Sequence, residues 1–588
     1  MKNFTKIFQL LDPKEKKSAY LLLFLIIVMA LVDTIGIASV MPFVAVLANP
    51  ELIETNSVLN KLYLISQSLL GITDSREFLF FLGAFFFILI MFSLIVRAVT
   101  TYAQIRFTLM REYTIGKRLV EGYLRQPYIW FLNRHSADLG KSILSELSEV
   151  IAGSVIPLIT IISQSAVVFF IIILLIIIDP FLSISVGLLL LICYIIIYHL
   201  KKKILFNLGN RRLEANTKRF KVINEVFSSM KEVKVGGLEK IYLNTFEGPS
   251  KVFAKTQVTQ RIISILPRYF IEAIAFGGMI LLTLFLMSKN SGFDDIVPII
   301  SIYALAGYRL IPAIQGIYLP ITQIRFTEAS LDNLHKDLIS LNRNPKIEIQ
   351  GNMLKLKKCI SLENINFTYP KSERINLKNI NLIIPVSSKV GIVGSTGEGK
   401  TTLADLILGL LDNYNGILKV DDVKIDDKTV RSWQKMIGYV PQQIFLSDST
   451  IASNIALGFS EEKINLASVE NAAKQAKIHD FIKNELPHGY KTKVGERGIR
   501  ISGGQRQRIG IARALYHNPK VLVFDEATNA LDDATETLIL DSIQKLNKDL
   551  TFIMITHKKD LVKNFDYVIS IENGGIKNIE RSKNLKKI

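Results

Sequence analysis

The 588-residue chain predicts a two-part fold: an all-α transmembrane domain of six helices, then an α/β domain built around a phosphate-binding loop. Three observations predict it. Apolar residues crowd the first three-fifths in stretches of about 20, the length a helix needs to cross a bilayer. Beyond residue 354, short β-rich runs alternate with helical patterns, as in an α/β sheet. One of those runs leads directly into a glycine-rich loop ending in Lys-Thr. The composition agrees, with 49% hydrophobic residues beside a formal charge of +19 and a mean hydropathy of +0.31. That apolar content excludes a disordered chain and argues against a nucleic-acid partner. Two Cys, Cys193 and Cys359, make no disulfide framework.

The six predicted spans are 20–47, 78–99, 155–178, 181–198, 262–287 and 296–324. The first is too long for a signal-peptide core, although Lys14, Lys16 and Lys17 precede it. Basic side chains follow the second and fourth spans: Arg106, Arg111, Lys117, Arg118 and Arg125, then Lys201, Lys202, Lys203, Arg211, Arg212, Lys218 and Arg219. The positive-inside rule therefore places these linkers and the N-terminus in the cytoplasm. No Gly/Pro cluster interrupts the linkers, so they read as helical extensions of the spans. Breaks fall near Gln126-Pro127-Tyr128 and Gly236-Gly237, where short transverse helices could press on a cytoplasmic domain. The division expected is a transmembrane domain at 1–340, a linker at 341–353 and a soluble domain at 354–588.

Within the soluble part, Val390-Gly391-Ile392-Val393 is an apolar strand running into Gly394, Ser395, Thr396, Gly397, Glu398, Gly399, Lys400, Thr401 and Thr402. The pattern is G-x-x-x-x-G-K-[ST], whose backbone amides wrap phosphate oxygens at the positive end of a helix. Lys400 should reach the β/γ-phosphates, and the Thr401 hydroxyl should ligate Mg²⁺. A second apolar strand, Val521-Leu522-Val523-Phe524, ends in Asp525 and Glu526. Asp525 would hold the Mg²⁺ shell at the strand's C-terminal end, and Glu526 could polarise the attacking water. Between these motifs lies Ile501-Ser502-Gly503-Gly504-Gln505-Arg506-Gln507-Arg508.

In this order the three motifs resemble the nucleotide-binding domain of the ATP-binding cassette (ABC) superfamily. Ile501 stands where the usual signature has Leu. The resemblance implies roles elsewhere: Tyr369 stacking on adenine, Gln442 between Mg²⁺ and the transmembrane contact, Asp532 of Asn529-Ala530-Leu531-Asp532 in a loop crossing the dimer interface, and His557 as the γ-phosphate switch. It implies that Ser502, Gly503, Gly504 and Gln505 meet ATP held by another subunit. A homodimer would then carry two composite sites and twelve spans, in the exporter arrangement, hydrolysing ATP to drive alternating access.

The cargo is read from fewer residues. Arg97, Arg268 and Arg309 lie in or beside spans, where an Arg normally faces a wet interior or snorkels. Together they would suit an anionic, phosphate-bearing cargo. Residues Val58, Leu59, Leu62, Ile65, Leu69 and Leu70 recur at helical spacing, suggesting an amphipathic helix lying on the outer membrane surface. With Asp33-Thr34-Ile35-Gly36 and Tyr308-Arg309-Leu310-Ile311-Pro312, this pattern resembles the PglK family of lipid-linked oligosaccharide flippases. The resemblance implies a flippase of lipid-linked glycans in a bacterial inner membrane, with membrane lipid as a partner. Two alternatives stand beside it: a general exporter of drugs, lipids or peptides, and a membrane-anchored ATPase acting as a regulator or channel.

Overall fold

The computed structural model describes residues 2–48, 52–70, 74–178, 180–288, 293–341, 354–370, 372, 375–495, 498–527, 533–546 and 549–582. The chain forms two compact units, Met1–Gln126 with Arg134–Asn344, and Pro127–Asn133 with Pro345–Ile588. The expected boundary near residue 340 therefore needs one correction. Residues 127–133 lie amid membrane-domain sequence yet fold with the second unit. Most of the expected linker, 342–353, lies outside the described residues.

Among the described residues every regular element of the first unit is a helix: α1 (Lys2–Leu10), α2 (Pro13–Ala38), α3 (Val40–Ala48), α4 (Leu52–Thr55), α5 (Ser57–Leu70) and α6 (Ser75–Leu124) come first. Helix α7 (Tyr128–Leu132) belongs to the second unit; then follow α8 (Ser136–Lys141), α9 (Leu147–Val150) between two π turns, α10 (Ile156–Ile178), α11 (Pro180–Ser228), α12 (Met230–Val235), α13 (Glu239–Ser288) and α14 (Phe293–Leu341). Local sequence sets the ends. Pro13 opens α2, and the Glu15 carboxylate accepts the Asp12 N–H at 2.9 Å, which satisfies a donor the helix cannot. Five of the predicted spans fall on long helices, whereas the first, 20–47, is broken at Ser39 and divided between α2 and the nine-residue α3. Among the described residues, the stretches Pro13–Val44, Arg76–Leu124 and Ala137–Ile177 are long and apolar enough to cross a membrane. The spans expected at 181–198, 262–287 and 296–324 fall on α11, α13 and α14.

The basic linkers are helical continuations, as expected: α6 runs to Leu124 and α11 to Ser228. Two glycines let helices touch there. A Cβ on Gly209 of α11 would overlap the Phe326 carbonyl oxygen of α14, and one on Gly153 would overlap Thr327. Beside them, Arg212 is 1% exposed, donating to Glu146 and to the Ser330 hydroxyl, each at 3.0 Å. The Glu146 carboxylate also accepts from Asn216 at 2.8 Å. Polar groups buried this deeply remain affordable only when paired.

The helix expected over 58–70 exists as α5 (Ser57–Leu70), but part of its apolar stripe is used within the chain. Leu59 is buried, and Leu62 and Tyr63 pack with it against Phe78 and Leu82 of α6. Ile65 and Leu64 are exposed, while the side chains of Val58, Leu69 and Leu70 lie outside those described. Its apolar face is thus a packing face first, because Phe78 and Leu82 offer apolar area within the same chain.

The second unit has two sheets. β1 (Cys359–Phe367), β2 (Leu377–Pro385), β4 (Asn415–Val420) and β5 (Val423–Lys424) form an antiparallel sheet in the order β2-β1-β4-β5. β3 (Lys389–Val393), β6 (Ile437–Val440), β7 (Val521–Asp525), β8 (Thr551–Thr556), β9 (Tyr567–Glu572) and β10 (Gly575–Arg581) form the other, ordered β10-β9-β3-β8-β7-β6. It is parallel apart from its β9–β10 edge. β7 and β8 are buried at every position, which is why their sequences run apolar without alternation. Helices α15 (Lys400–Ile407), α16 (Val430–Gln434), α17 (Ile451–Ile455), α18 (Leu466–Gln475), α19 (His479–Asn484), α20 (Gly503–Leu515) and α21 (Asp533–Leu546) complete the unit. Ile129 of α7 is buried in the same core cluster as Ile360, Leu403 and Trp433.

Candidate functional site

The register of the parallel sheet assembles the site. Ile392 of β3 pairs with Ile555 of β8, and Asp525 of β7 pairs with the same Ile555. One or two residues past that row, the three strands release Gly394, Glu526 and His557 at a common C-terminal edge, where ligands of such sheets bind. The phosphate loop is shaped by glycine. Gly397 and Gly399 have φ of +82° and +101°, and a Cβ on Gly399 would lie 2.7 Å from the Asn376 carbonyl oxygen. Ser395, Thr396 and Gly397 are exposed ahead of α15. Glu398 instead turns its carboxylate toward the Asn573 N–H.

Lys400 is 5% exposed. Its ammonium donates to the loop's own Gly394 and Ser395 carbonyls at 2.8 and 2.9 Å, and lies 3.9 Å from the Glu526 carboxylate. Gln442 donates to Glu526 at 2.9 Å. Glu526 occupies the left-handed region at φ +48°, a conformation costing a non-glycine residue about 1–3 kcal/mol. Its N–H is fixed on the Ile555 carbonyl at 2.9 Å. The strained turn aims the carboxylate back across the sheet edge.

Among the described residues, Asp525, Glu526 and Asp405 gather with Lys400 around the end of β7. Burial raises the Asp525 pKa, and the Glu526 charge raises it further, against opposing contributions from Tyr439 and Lys400. Asp405, on α15, is pushed up to about 6 by burial and by Asp525. Neither Asp405 nor Tyr439, whose hydroxyl lies 3.4 Å from Asp525, was expected from sequence. A carboxylate inside the apolar run Leu403-Ala404-Asp405-Leu406-Ile407 was the available signal.

The donors fit a hard divalent cation. Among the described residues no three His, Cys, Asp or Glu side chains converge into a protein-only cage. The Thr401 hydroxyl, the Gln442 amide oxygen and Asp525 are oxygen ligands of the kind Mg²⁺ takes beside phosphate oxygens. The excess negative charge beside Asp525 would be relieved by such an ion.

Ser502 caps α20 in a reciprocal box, its N–H donating to Gln505 at 2.9 Å and its hydroxyl accepting the Gln505 N–H at 3.3 Å. Ser502 is exposed at a helix N-terminus, with Gly503 and Gly504 in the first turn. Ile501 is buried in the core, so the departure from Leu preserves the packing. Tyr369 meets Phe367 edge-on at 4.9 Å between centroids, and its hydroxyl makes a long 3.5 Å contact to Thr402. His557 is exposed just beyond β8. Asp532 and the rest of 528–532 lie outside the described residues, as does the side chain of Arg309.

Two of the three span arginines, Arg97 and Arg268, have acidic partners. Arg97 interacts electrostatically with Asp33 of α2. Arg268 donates to Glu272 one turn along α13 at 2.6 Å.

Residues 377–529 match the family model for ABC transporters, and residues 15–306 match the ABC transporter transmembrane region. The chain belongs to the ABC transporter family. It carries an ABC transporter transmembrane region followed by an ABC ATP-binding domain. This ABC transporter is 44% identical over 187 residues to an ATP-dependent lipid A-core flippase of Saccharophagus degradans, covering 32% of this chain and 31% of the relative. It is 38% identical over 241 residues to multidrug resistance protein pgp-1 of Caenorhabditis elegans, covering 40% and 18%. The chain thus spans less than a third of either relative's own length. A bacterial Atm1-family ABC exporter solved with ATP bound superposes with a TM-score of 0.76 at 22% identity, over 97% of this chain and 96% of that one, and shares its fold.

Proposed function

We propose that this protein is an ATP-driven translocase working as a homodimer by alternating access. The observation that carries the reading is the convergence of Lys400, Gln442, Asp525 and Glu526 at one sheet edge, beside a glycine-shaped phosphate loop. ATP enters with its phosphates on the amides of 394–402 and its adenine toward Tyr369. Lys400 then exchanges its own loop carbonyls for phosphate oxygens. Mg²⁺ bound by Thr401, Gln442 and Asp525 would neutralise charge on the β- and γ-phosphates. Ser502, Gly503 and Gly504 of the second copy close over the γ-phosphate, Glu526 polarises the attacking water, and His557 senses the product. Asp532 lies at the crossing between copies. The ATP-binding domain and N-terminus face the cytoplasm, and the membrane is a bacterial inner membrane.

For the cargo we infer an anionic lipid-linked glycan or a related phosphorylated lipid. The likeness to a lipid A-core flippase supports this, as do the outer helix α5 and Arg309. A general exporter is the second reading. It is favoured by the partners of Arg97 and Arg268, each of which already faces a protein carboxylate. Reconstitution into vesicles decides between them. ATP-dependent flipping of a pyrophosphate-linked oligosaccharide, lost in Arg309→Ala, is the expected result. Movement of a hydrophobic drug without movement of that lipid would select the general exporter. ATPase turnover in Glu526→Gln should fall by at least about 10²-fold; retained turnover would defeat the catalytic assignment.

A further inference from the structure

Among the buried ionisable groups that the ATP-hydrolysing reading above does not use, Glu536 lies nearest the switch histidine's strand end. Glu536 sits in the first turn of α21 and is 0% exposed. Neither of its carboxylate oxygens has a hydrogen-bond partner among the described residues. A carboxylate removed from water without compensation is among the least favourable groups in a protein interior. Its compensating charge is Lys558, whose ammonium lies 3.6 Å away on a side chain that is 36% exposed and so has water within reach.

Resting on that reading, we infer that Glu536 is a positioning residue for the switch histidine, acting through Lys558. His557 lies between two fixed neighbours. Thr556 ends β8 and pairs with Val393, the residue just before the phosphate loop. Lys558 donates its N–H to the Thr556 hydroxyl at 3.0 Å and its ammonium faces Glu536. The exposed imidazole is therefore held one residue beyond the sheet row that opens into Gly394. The second anchor is α21, whose first residue follows directly on the Asn529-Ala530-Leu531-Asp532 segment expected at the dimer crossing. Buried ion pairs add little net stability compared with apolar packing, so stability alone is a weak reason for a carboxylate here. Register is the stronger one: the pair links the start of α21 to the backbone carrying His557.

The test is a mutant cycle on the full chain in detergent or nanodiscs. Glu536→Gln and Lys558→Met should each lower ATPase kcat at least about tenfold, leaving KM for ATP within about twofold. Binding of a fluorescent ATP analogue should be unchanged. Adding Glu536→Gln to His557→Ala should cost no more than about a further twofold, because both act on one group. Lys558→Met, at a part-exposed site, carries the measurement if Glu536→Gln does not fold. Three outcomes overturn the inference: kcat near that of the wild type in either variant, KM rising as kcat falls, or losses that multiply with His557→Ala. A wild type without ATPase activity would instead refute the hydrolytic reading.

Discussion

Asp405 shows how the site's electrostatics can be measured one residue at a time. Its carboxyl is pushed up to about 6 from 3.8 by burial and by Asp525. The folded state thus binds this proton more tightly than the unfolded chain. The resulting stabilisation is complete below about 3.8 and is lost as pH rises through about 6. Asp405→Asn removes the dependence. In protein without nucleotide, its unfolding temperature should exceed the wild type's most at pH 7.5, and the gap should shrink as pH falls from about 6 towards 4. A gap that is constant with pH would show that Asp405 titrates normally. Lys400, Asp525 and Glu526 were legible in the sequence because their spacing follows from phosphate and strand geometry. Asp405, Tyr439 and Glu536 were not, because their significance depends on which strands become neighbours.

Helices make their own predictions. Gly209 allows α11 to touch the α14 backbone at Phe326, and a carbonyl oxygen cannot move aside as a side chain can. Gly209→Ala should destabilise the first unit by about 1–3 kcal/mol, read as a lower unfolding temperature in detergent; an unchanged value would mean the helices separate freely. Helix α7 offers a different kind of test. Ile129 is 7% exposed within the second unit's core, and burying such a side chain contributes about 1.5–3 kcal/mol. Ile129→Asp should release α7, abolishing transport while ATPase activity stays within about threefold. Coupled loss of both activities would show that α7 also shapes the nucleotide site. The long helices and the break at Gln126-Pro127 were readable, since apolar length and an uninterrupted basic run leave few alternatives. The destination of α7 was not, because Tyr128-Ile129-Trp130-Phe131-Leu132 shows only an apolar pentapeptide. Likewise, the period of α5 announced a helix without saying that Phe78 and Leu82 would cover Leu59.

For the whole molecule, the proposed homodimer with composite sites predicts complementation. A Lys400→Ala chain loses the ammonium of its phosphate loop, and a Gly503→Asp chain places a negative charge in its signature turn. Each homodimer has two defective sites. A mixed dimer has one site with both defects and one fully intact. Co-expressed and purified with two different tags, it should hydrolyse ATP well above either parent; activity no higher than the parents would place the whole site within one chain. The path of the chain through its two units also bears on biosynthesis. The ribosome completes residues 127–133 more than 200 residues before the core that receives Ile129 is made. The second unit consequently finishes folding around a segment that has been waiting since early in translation. Residues 345–588 expressed alone would lack that segment and leave its apolar seat open to water, so aggregation of the isolated fragment, relieved by a peptide of residues 127–133, would be the trace of this order.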